Sequence, residues 1–449
     1  MKREKLANFL TYLCLFLLPW QTVWIYDYFS PLPGGEVVGE YWKLTHYATQ
    51  FLILITVLVR WKIKTSEVNK KVIRAAWWFF GVALLSCVFS ISPYLSFGFS
   101  FHVLFAVMLF WLLLDERIKI RKIIWFLSLG LIVPCLFGWW QVLIGRSPAV
   151  TVLGLSKHLA VVPGTAVVET AAGRLMRAYG SFPHPNIFGG WLAMVILMTL
   201  GRSVPERSIG SDRSQYATIV RAIILILFSL TLVTTFSRSA WLALGTGIVS
   251  IFIWHIICRI KVSKKFLFDL FVALVAVVVS AALFHSAITT RMSTDERLEI
   301  KSLSERQSEY QMIGEVIKIN PFLGVGAGSY TVALAEKFPG REVWFYQPIH
   351  NVFLLFFTEI GLLGLLFLGH LFFVFWKTPS QSLNYFLPRH SSPRATTGRA
   401  LLPLLPLLPL AALDHYLWSQ WAGLSLVAVV LAVFLRKLDK IDKIFEGEV

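Results

Sequence analysis

Charge is what this sequence has least of. Only 15% of its 449 residues are Asp, Glu, Lys or Arg, where a soluble domain carries about 25%. With 56% hydrophobic residues and a mean hydropathy of +0.68, the chain has too few polar groups to cover itself in water. Its solvent must be lipid, which excludes the soluble fold classes. Acidic residues are scarcer than basic ones, 25 Asp+Glu against 42 Lys+Arg, for a net charge of +17. In a soluble protein that surplus suggests nucleic acid. Here topology accounts for it, because Lys and Arg collect in cytoplasmic loops, and no nucleic-acid partner is expected. The four cysteines, Cys14, Cys87, Cys135 and Cys258, sit in or beside apolar runs without disulfide or metal spacing. Lys2, Arg3 and Lys5 precede an apolar run, but no small-residue cleavage site follows it, so it reads as a retained first span.

What the chain does have is long apolar runs. Spans of about 20 apolar residues fall near 6–25, 44–60, 75–92, 95–114, 123–143, 186–200, 217–235, 239–257, 266–286, 351–376, 400–418 and 419–435. The fold class is therefore all-α: a polytopic bundle of about twelve transmembrane helices. If the N-terminus is inside, the cytoplasmic segments hold about 28 of the 42 Lys+Arg and the short outside loops about six. Both termini are then cytoplasmic. No internal repeat is visible.

Two outside segments are longer than a connection requires. One is 144–185, ending in GRLMRAYGSFPHPN; the other is 287–350. Within the second, STDERLEIKSLSERQSEYQMIGEVIKIN reads as an amphipathic helix whose Leu298, Leu303, Met312, Ile313, Val316 and Ile317 face the membrane or the bundle. Asn320-Pro321 stops it, and PFLGVGAGSY is a glycine-rich turn rather than a phosphate loop, since no strand precedes it and no GK[ST] follows. A long ordered loop of this kind reads as a lid over 287–350. The Ser/Pro/Arg-rich stretch 377–399 reads as a flexible cytoplasmic linker. LLPLLPLLPL at 401–410 is a proline-interrupted span, tolerated in a bundle whose neighbours satisfy the freed carbonyls.

Arginine near the outer surface is informative, because topology rules push it inside. Arg238 lies in a tight outside turn, TTFSRSAWLAL; Arg174 and Arg177 precede YGSFPHPN; His350-Asn351 opens another span from the same side. Arg177, Arg238 and His350 thus reach one membrane-water boundary from three segments. A guanidinium fork matches phosphate oxygens. Two of them could hold a diphosphate whose hydrocarbon tail stays in the bilayer, and stabilise the charge that builds as it leaves. A neutral imidazole could take the proton of an attacking hydroxyl. No carboxylate pair or metal-ligand cluster stands out, which argues against a metal-dependent reaction, and no cofactor is called for.

Each residue also has a plainer reading. An Arg at a helix end usually snorkels to headgroups, the preferred reading of Arg174 alone, while for Arg238 anchoring and function weigh evenly. A His at a helix start is more often merely interfacial. His184 and Asn186 read as caps of the following helix, Asn186 being well placed for it. His102 and His370 lie inside spans without a partner that the sequence identifies. Glu359 reads as structural, a candidate to orient His350. Asp414-His415 forms a second acid-imidazole pair and a rival site.

Three segments together, RAYGSFPHPN at 177–186, TTFSRSAWLAL at 234–244 and NPFLGVGAGSY with IHNVFLLFFTEIGLLG at 320–364, resemble the O-antigen ligase/polymerase family of bacterial envelope glycosyltransferases. The resemblance covers roughly residues 174–370. It implies about twelve helices, a large periplasmic loop and a metal-independent transfer of glycan from an undecaprenyl-diphosphate carrier to a hydroxyl acceptor. Carried over, the family's arginines fall on Arg177 and Arg238 and its histidine on His350. Arg306 resembles a further family arginine and, with Asn351, Asn186 and Arg174, completes a candidate substrate-binding set. The implied partners are a polyprenyl-diphosphate-linked glycan donor, a glycan, lipid or protein acceptor, and the bilayer of the bacterial inner membrane. An O-antigen polymerase or a protein O-oligosaccharyltransferase would share this chemistry. A solute transporter would instead want polar residues near the midplane and internal repeats.

Overall fold

The computed structural model describes residues 2–26, 40–201, 215–257, 261–293, 297–377 and 402–445; the linker expected over 377–399 falls, beyond Lys377, outside them. The chain is an all-α polytopic membrane protein. Helices α1 (Lys2–Leu17), α2 (Ala48–Arg60), α3 (Glu67–Leu85), α4 (Pro93–Leu113), α5 (Ile120–Ile144), α6 (Pro185–Leu200), α7 (Gln215–Thr234), α8 (Arg238–Ile257) and α9 (Lys264–Leu283) are followed by the long segment before residue 351. That segment holds α10 (His285–Met292), α11 (Arg297–Ile317) and α12 (Tyr330–Lys337); α13 (Val352–Lys377), α14 (Leu407–Leu413), α15 (Tyr416–Ser419) and α16 (Trp421–Phe445) complete the bundle. Among the described residues, eight helices are long and apolar enough to cross a membrane, and α2 and α6 are shorter apolar helices. The two other expected spans correspond to α1 and to the α14–α15 pair. Prolines at every third position from Pro403 to Pro409 confine the first part of that pair to a 3-10 turn over Leu402–Leu404, and the helix breaks again at Asp414.

Three two-stranded antiparallel hairpins sit among the connections: β1 (Val23–Tyr26) with β2 (Leu44–Tyr47), β3 (Arg146–Ser147) with β4 (His158–Leu159), and β5 (Val167–Thr170) with β6 (Gly173–Met176). The last two lie in the long 144–185 segment. The amphipathic reading of 293–320 is met by α11. Ile313 and Val316 are buried, and Leu298, Met312 and Ile317 pack partly against the core. Arg297 pairs with Glu169 of β5 at 2.6 Å, fastening one end of α11 to that hairpin.

The core centres on α6, every residue of which from Ile187 to Leu200 is buried. Its first turn carries Gly189 and Gly190. A Cβ on Gly189 would sit 2.9–3.0 Å from Thr235, Ser237 and Ala240, and one on Gly190 would sit 1.9 Å from the Tyr416 hydroxyl. The glycine pair thereby lets the turn before α8 and the start of α15 close on the N-terminus of α6. At the other end of α1, α2 and α4, Arg60 bonds Asp115 at 3.3 Å and Asn8 at 2.6 Å, and Arg117 joins Asp115 at 2.5 Å.

Helix α13 is broken at Gly361, with φ 68° and ψ −169°. The glycine-rich turn fills the break. Val325 and Gly326 donate to the carbonyls of Thr358 and Glu359 at 3.0 and 2.8 Å, and Leu362 and Leu363 donate to Pro321 and Phe322 at 3.0 and 3.1 Å. The Glu359 carboxylate accepts from the amides of Gly328 (2.8 Å) and Tyr330 (3.3 Å) and from the Trp418 indole (2.7 Å). Glu359 therefore anchors this loop and does not orient His350. Gly361→Ala is expected to lower the thermal unfolding temperature clearly. A left-handed φ costs a side chain about 1–2 kcal/mol. The added Cβ would also lie 2.5 Å from the backbone of Phe322 and Gly324, which cannot swing aside. An unchanged unfolding temperature in detergent would contradict the splice.

Candidate active site

The elements meeting at the N-terminal end of α6 bring together residues far apart in sequence. Pro185 occupies the first helical position, where its missing N–H costs nothing, so His184 becomes the N-cap and its Nδ1 accepts from the Asn186 amide at 3.2 Å. This corrects the expectation that Asn186 caps: one residue inside the helix, its side chain is free for other work. Its Oδ1 accepts from Arg177 Nη2 at 2.5 Å, and its Nδ2 donates to Asp414 Oδ2 at 2.8 Å. Arg177, 5% exposed, also donates from Nε to the Thr235 carbonyl at 2.8 Å. The adjacent Ala178 amide bonds Thr234 at 3.0 Å. Arg177 is thus tied to the turn that delivers Arg238, which stands half-buried at the start of α8. That turn carries a left-handed Phe236, φ 48°, whose carbonyl accepts from Arg291 at 3.2 Å.

On the opposite side of Asp414 lies the imidazole pair. The His415 amide donates to Asp414 Oδ1 at 2.9 Å, and its ring meets that of His350 edge to face, centroids 5.4 Å apart. Asp414-His415 is therefore not a rival site but the bridge between Arg177 and His350. His350 is gripped by Glu309 of α11. Its Nδ1 lies 2.9 and 3.1 Å from the two carboxylate oxygens, and its backbone amide donates to Oε2 at 3.1 Å. A carboxylate only accepts, so Nδ1 carries a proton, and in the neutral ring Nε2 is the nitrogen with the lone pair. Burial alone would push the His350 pKa down. The Glu309 hydrogen bond and charge, with Asp414 beyond, outweigh burial and the opposing Arg306 charge, so it lies above the ordinary 6.5. His184 behaves oppositely: burial and the Arg177 charge push it down to about 3, leaving it neutral. His350, Asp414 and His415 also act on His184, so one field spans the group.

The remaining candidates are placed as follows. Arg306 lies three residues before Glu309 on α11, hence on the same face. Its Nη2 leans toward the Leu413 carbonyl at 3.5 Å, and its buried Nε has no acceptor among the described residues. Asn351 caps α13, accepting from Leu354 at 3.1 Å while donating to Ala412 at 3.3 Å. Arg174 faces Glu169 across the β5–β6 hairpin at 3.9 Å, with Arg297 on the same carboxylate. Glu309 is the residue that sequence reasoning missed. The available signal was its i+3 spacing from Arg306. Among the polar residues inside spans, His102 is hydrogen-bonded to Gln50 at 2.6 Å and Thr45 at 3.2 Å, and His370 lies on the exposed flank of α13.

Chemically, the arrangement offers an imidazole whose neutral form turns the Nε2 lone pair away from Glu309, a fixed carboxylate behind it, and guanidinium groups on two other segments. Residues 223–369 match the family model described as O-Antigen ligase, which bears out the motif resemblance over that stretch. The matched stretch contains Arg238, Arg306, Glu309, His350 and Asn351; Arg177 and Asn186 precede it and Asp414 follows it. No curated protein matches the chain.

Proposed function

From the premise of an O-antigen ligase segment in a polytopic membrane protein, we propose a glycosyltransferase of the bacterial inner membrane. It moves a glycan from a polyprenyl (undecaprenyl) diphosphate carrier to a hydroxyl acceptor at the periplasmic face, without a metal ion, and both termini are cytoplasmic. His350 Nε2 takes the acceptor hydroxyl's proton as that oxygen bonds to the anomeric carbon. The anomeric C–O bond breaks, and the diphosphate leaves with its electron pair. Arg238 and Arg177 hold the departing diphosphate, and Arg306 offers its free Nε to the same anion. The observation that carries the reading is the Glu309–His350 clamp, which sets the imidazole tautomer a general base requires.

The acceptor hydroxyl belongs to a lipid-linked sugar core, another carrier-linked glycan or a protein; ligase, polymerase and protein O-oligosaccharyltransferase share this chemistry. The transporter reading gains no support from His102 and Glu359, both engaged with neighbours.

The test is transfer by protein reconstituted in nanodiscs, with undecaprenyl-diphosphate glycan extracted from the native host and EDTA present. Product is expected; its absence with every acceptor class would overturn the reading. The pH profile adds a finer test. A raised His350 pKa means that the base form, and hence the rate, is lost as pH falls through a value above 6.5. Glu309→Gln retains an acceptor for Nδ1 but removes the charge. Its acid limb is expected to shift to lower pH, with a plateau rate down about tenfold from the weaker base. A limb that stays put would separate Glu309 from the chemistry.

A further inference from the structure

A second outer cavity lies beside the site. It has a volume of about 370 Å³, within the range of ligand sites, and is lined by Gln21, Trp24, Tyr47, Thr151, Ser156 and Pro183 among others. Pro183 immediately precedes His184, so one wall of the cavity continues into the Arg177–Asn186–Asp414 cluster.

The walls are built rather than fortuitous. Thr22 donates to the Val152 carbonyl and Ser181 to the Pro19 carbonyl, both at 2.7 Å, binding the first connection to the 144–185 segment. Gly154, at φ 69°, lies so close to Gln21 that a Cβ would sit 2.6–2.9 Å from its backbone. Gln21 itself is 2% exposed; its Nε2 donates to Leu18 at 3.1 Å, and its Oε1 has no partner. A buried acceptor left unpaired is costly, and a ligand hydroxyl would repair it. Trp24 is 49% exposed, with its ring set edge-on to Phe51 at 6.0 Å.

We propose that this cavity binds a pyranose ring of the glycan substrate, Trp24 meeting its C–H face and Gln21, Thr151 and Ser156 its hydroxyls. The proposal rests on the glycosyl-transfer reading. Sugars present hydroxyls around an apolar ring face, which suits an indole beside amide and hydroxyl groups. A prenyl tail wants an unbroken apolar wall. Such a wall lines much of the smaller cavity of about 180 Å³ at the other end of α6, among Leu197, Met198, Trp254, Val433 and Phe434.

The experiment is saturation-transfer NMR of the full chain in nanodiscs with a panel of methyl hexopyranosides and N-acetylhexosaminides. At least one is expected to bind, with a signal that falls about five- to tenfold in Trp24→Ala and in Gln21→Leu and survives in His350→Ala. The Trp24 side chain is half-exposed, so its variant keeps the test meaningful if Gln21→Leu misfolds. No binding by any glycoside, or binding indifferent to Trp24, would overturn the subsite. Transfer kinetics separate the sources: a KM raised for the lipid-linked glycan in Trp24→Ala assigns the ring to the donor, one raised for the acceptor assigns it there, and neither change overturns the subsite. If His350→Ala transfers normally, the glycosyl-transfer reading falls; if transfer needs His350 but ignores Trp24, only the subsite falls.

Discussion

His350→Ala is expected to lower glycan transfer by about 10²–10⁴-fold, the usual contribution of a positioned general base, with the protein still folded and donor still bound. The reason lies in the division of labour around residue 350. Glu309 holds both the ring and the backbone amide, so removing the ring leaves its Oε2 still accepting from that amide at 3.1 Å. The carboxylate is not orphaned, and the helix start remains capped by Asn351. What disappears is the Nε2 lone pair. Single-turnover transfer, measured beside donor binding by native mass spectrometry, distinguishes a lost base from a lost site. Full transfer by the variant would end the proposed mechanism.

Arg238→Ala is expected to cost about 10²–10³-fold in transfer, the scale of losing one fixed group that stabilises developing charge. Arg238→Lys should recover only part of this, since an ammonium lacks the planar fork. Arg177→Ala should cost stability as well as transfer. Its Nε and Nη2 are already engaged by the Thr235 carbonyl and Asn186, and it is buried. Arg177→Ala leaves the buried Thr235 carbonyl without its partner, at about 1–3 kcal/mol, and the part-buried Asn186 oxygen as well, so stability and transfer should fall together. An unchanged unfolding temperature in Arg177→Ala would contradict the structural part of its role. The paired measurement is thermal unfolding against transfer rate on the same preparations.

The spans were legible because lipid demands long apolar runs, and those survive in one dimension. The 400–418 segment was misleading for the same reason: LLPLLPLLPL is apolar enough to span, but its prolines permit only a 3-10 turn and short helices. Arg177, Arg238 and His350 stood out because cations and an imidazole at the outer boundary defy the positive-inside bias. Glu309 did not. An acid in a charged amphipathic helix reads as a solvated face, and only the docking of α11 brings it to His350, 41 residues later. Asp414-His415 was visible as a pair and misread as a separate site, because no linear pattern reports that Asn186 reaches across to it. Glu359 was assigned the wrong neighbour. An intramembrane acid must find donors, and here they came from backbone amides of the glycine turn and from Trp418.

The break in α13 bears on how this protein is made. A helix leaving the translocon normally carries all its hydrogen bonds with it, and the bilayer supplies none. Around Gly361, four of those bonds belong to residues 321–326, on a separate segment that must dock back against the helix. Until it does, the carbonyls of Thr358 and Glu359 and the amides of Leu362 and Leu363 face lipid or stray water, at several kcal/mol each. The outer half of α13, which presents His350, is therefore among the last parts of the molecule to mature. It completes only when the turn that follows α11 has docked. Until that turn docks, the helix is unfinished on the side that carries His350.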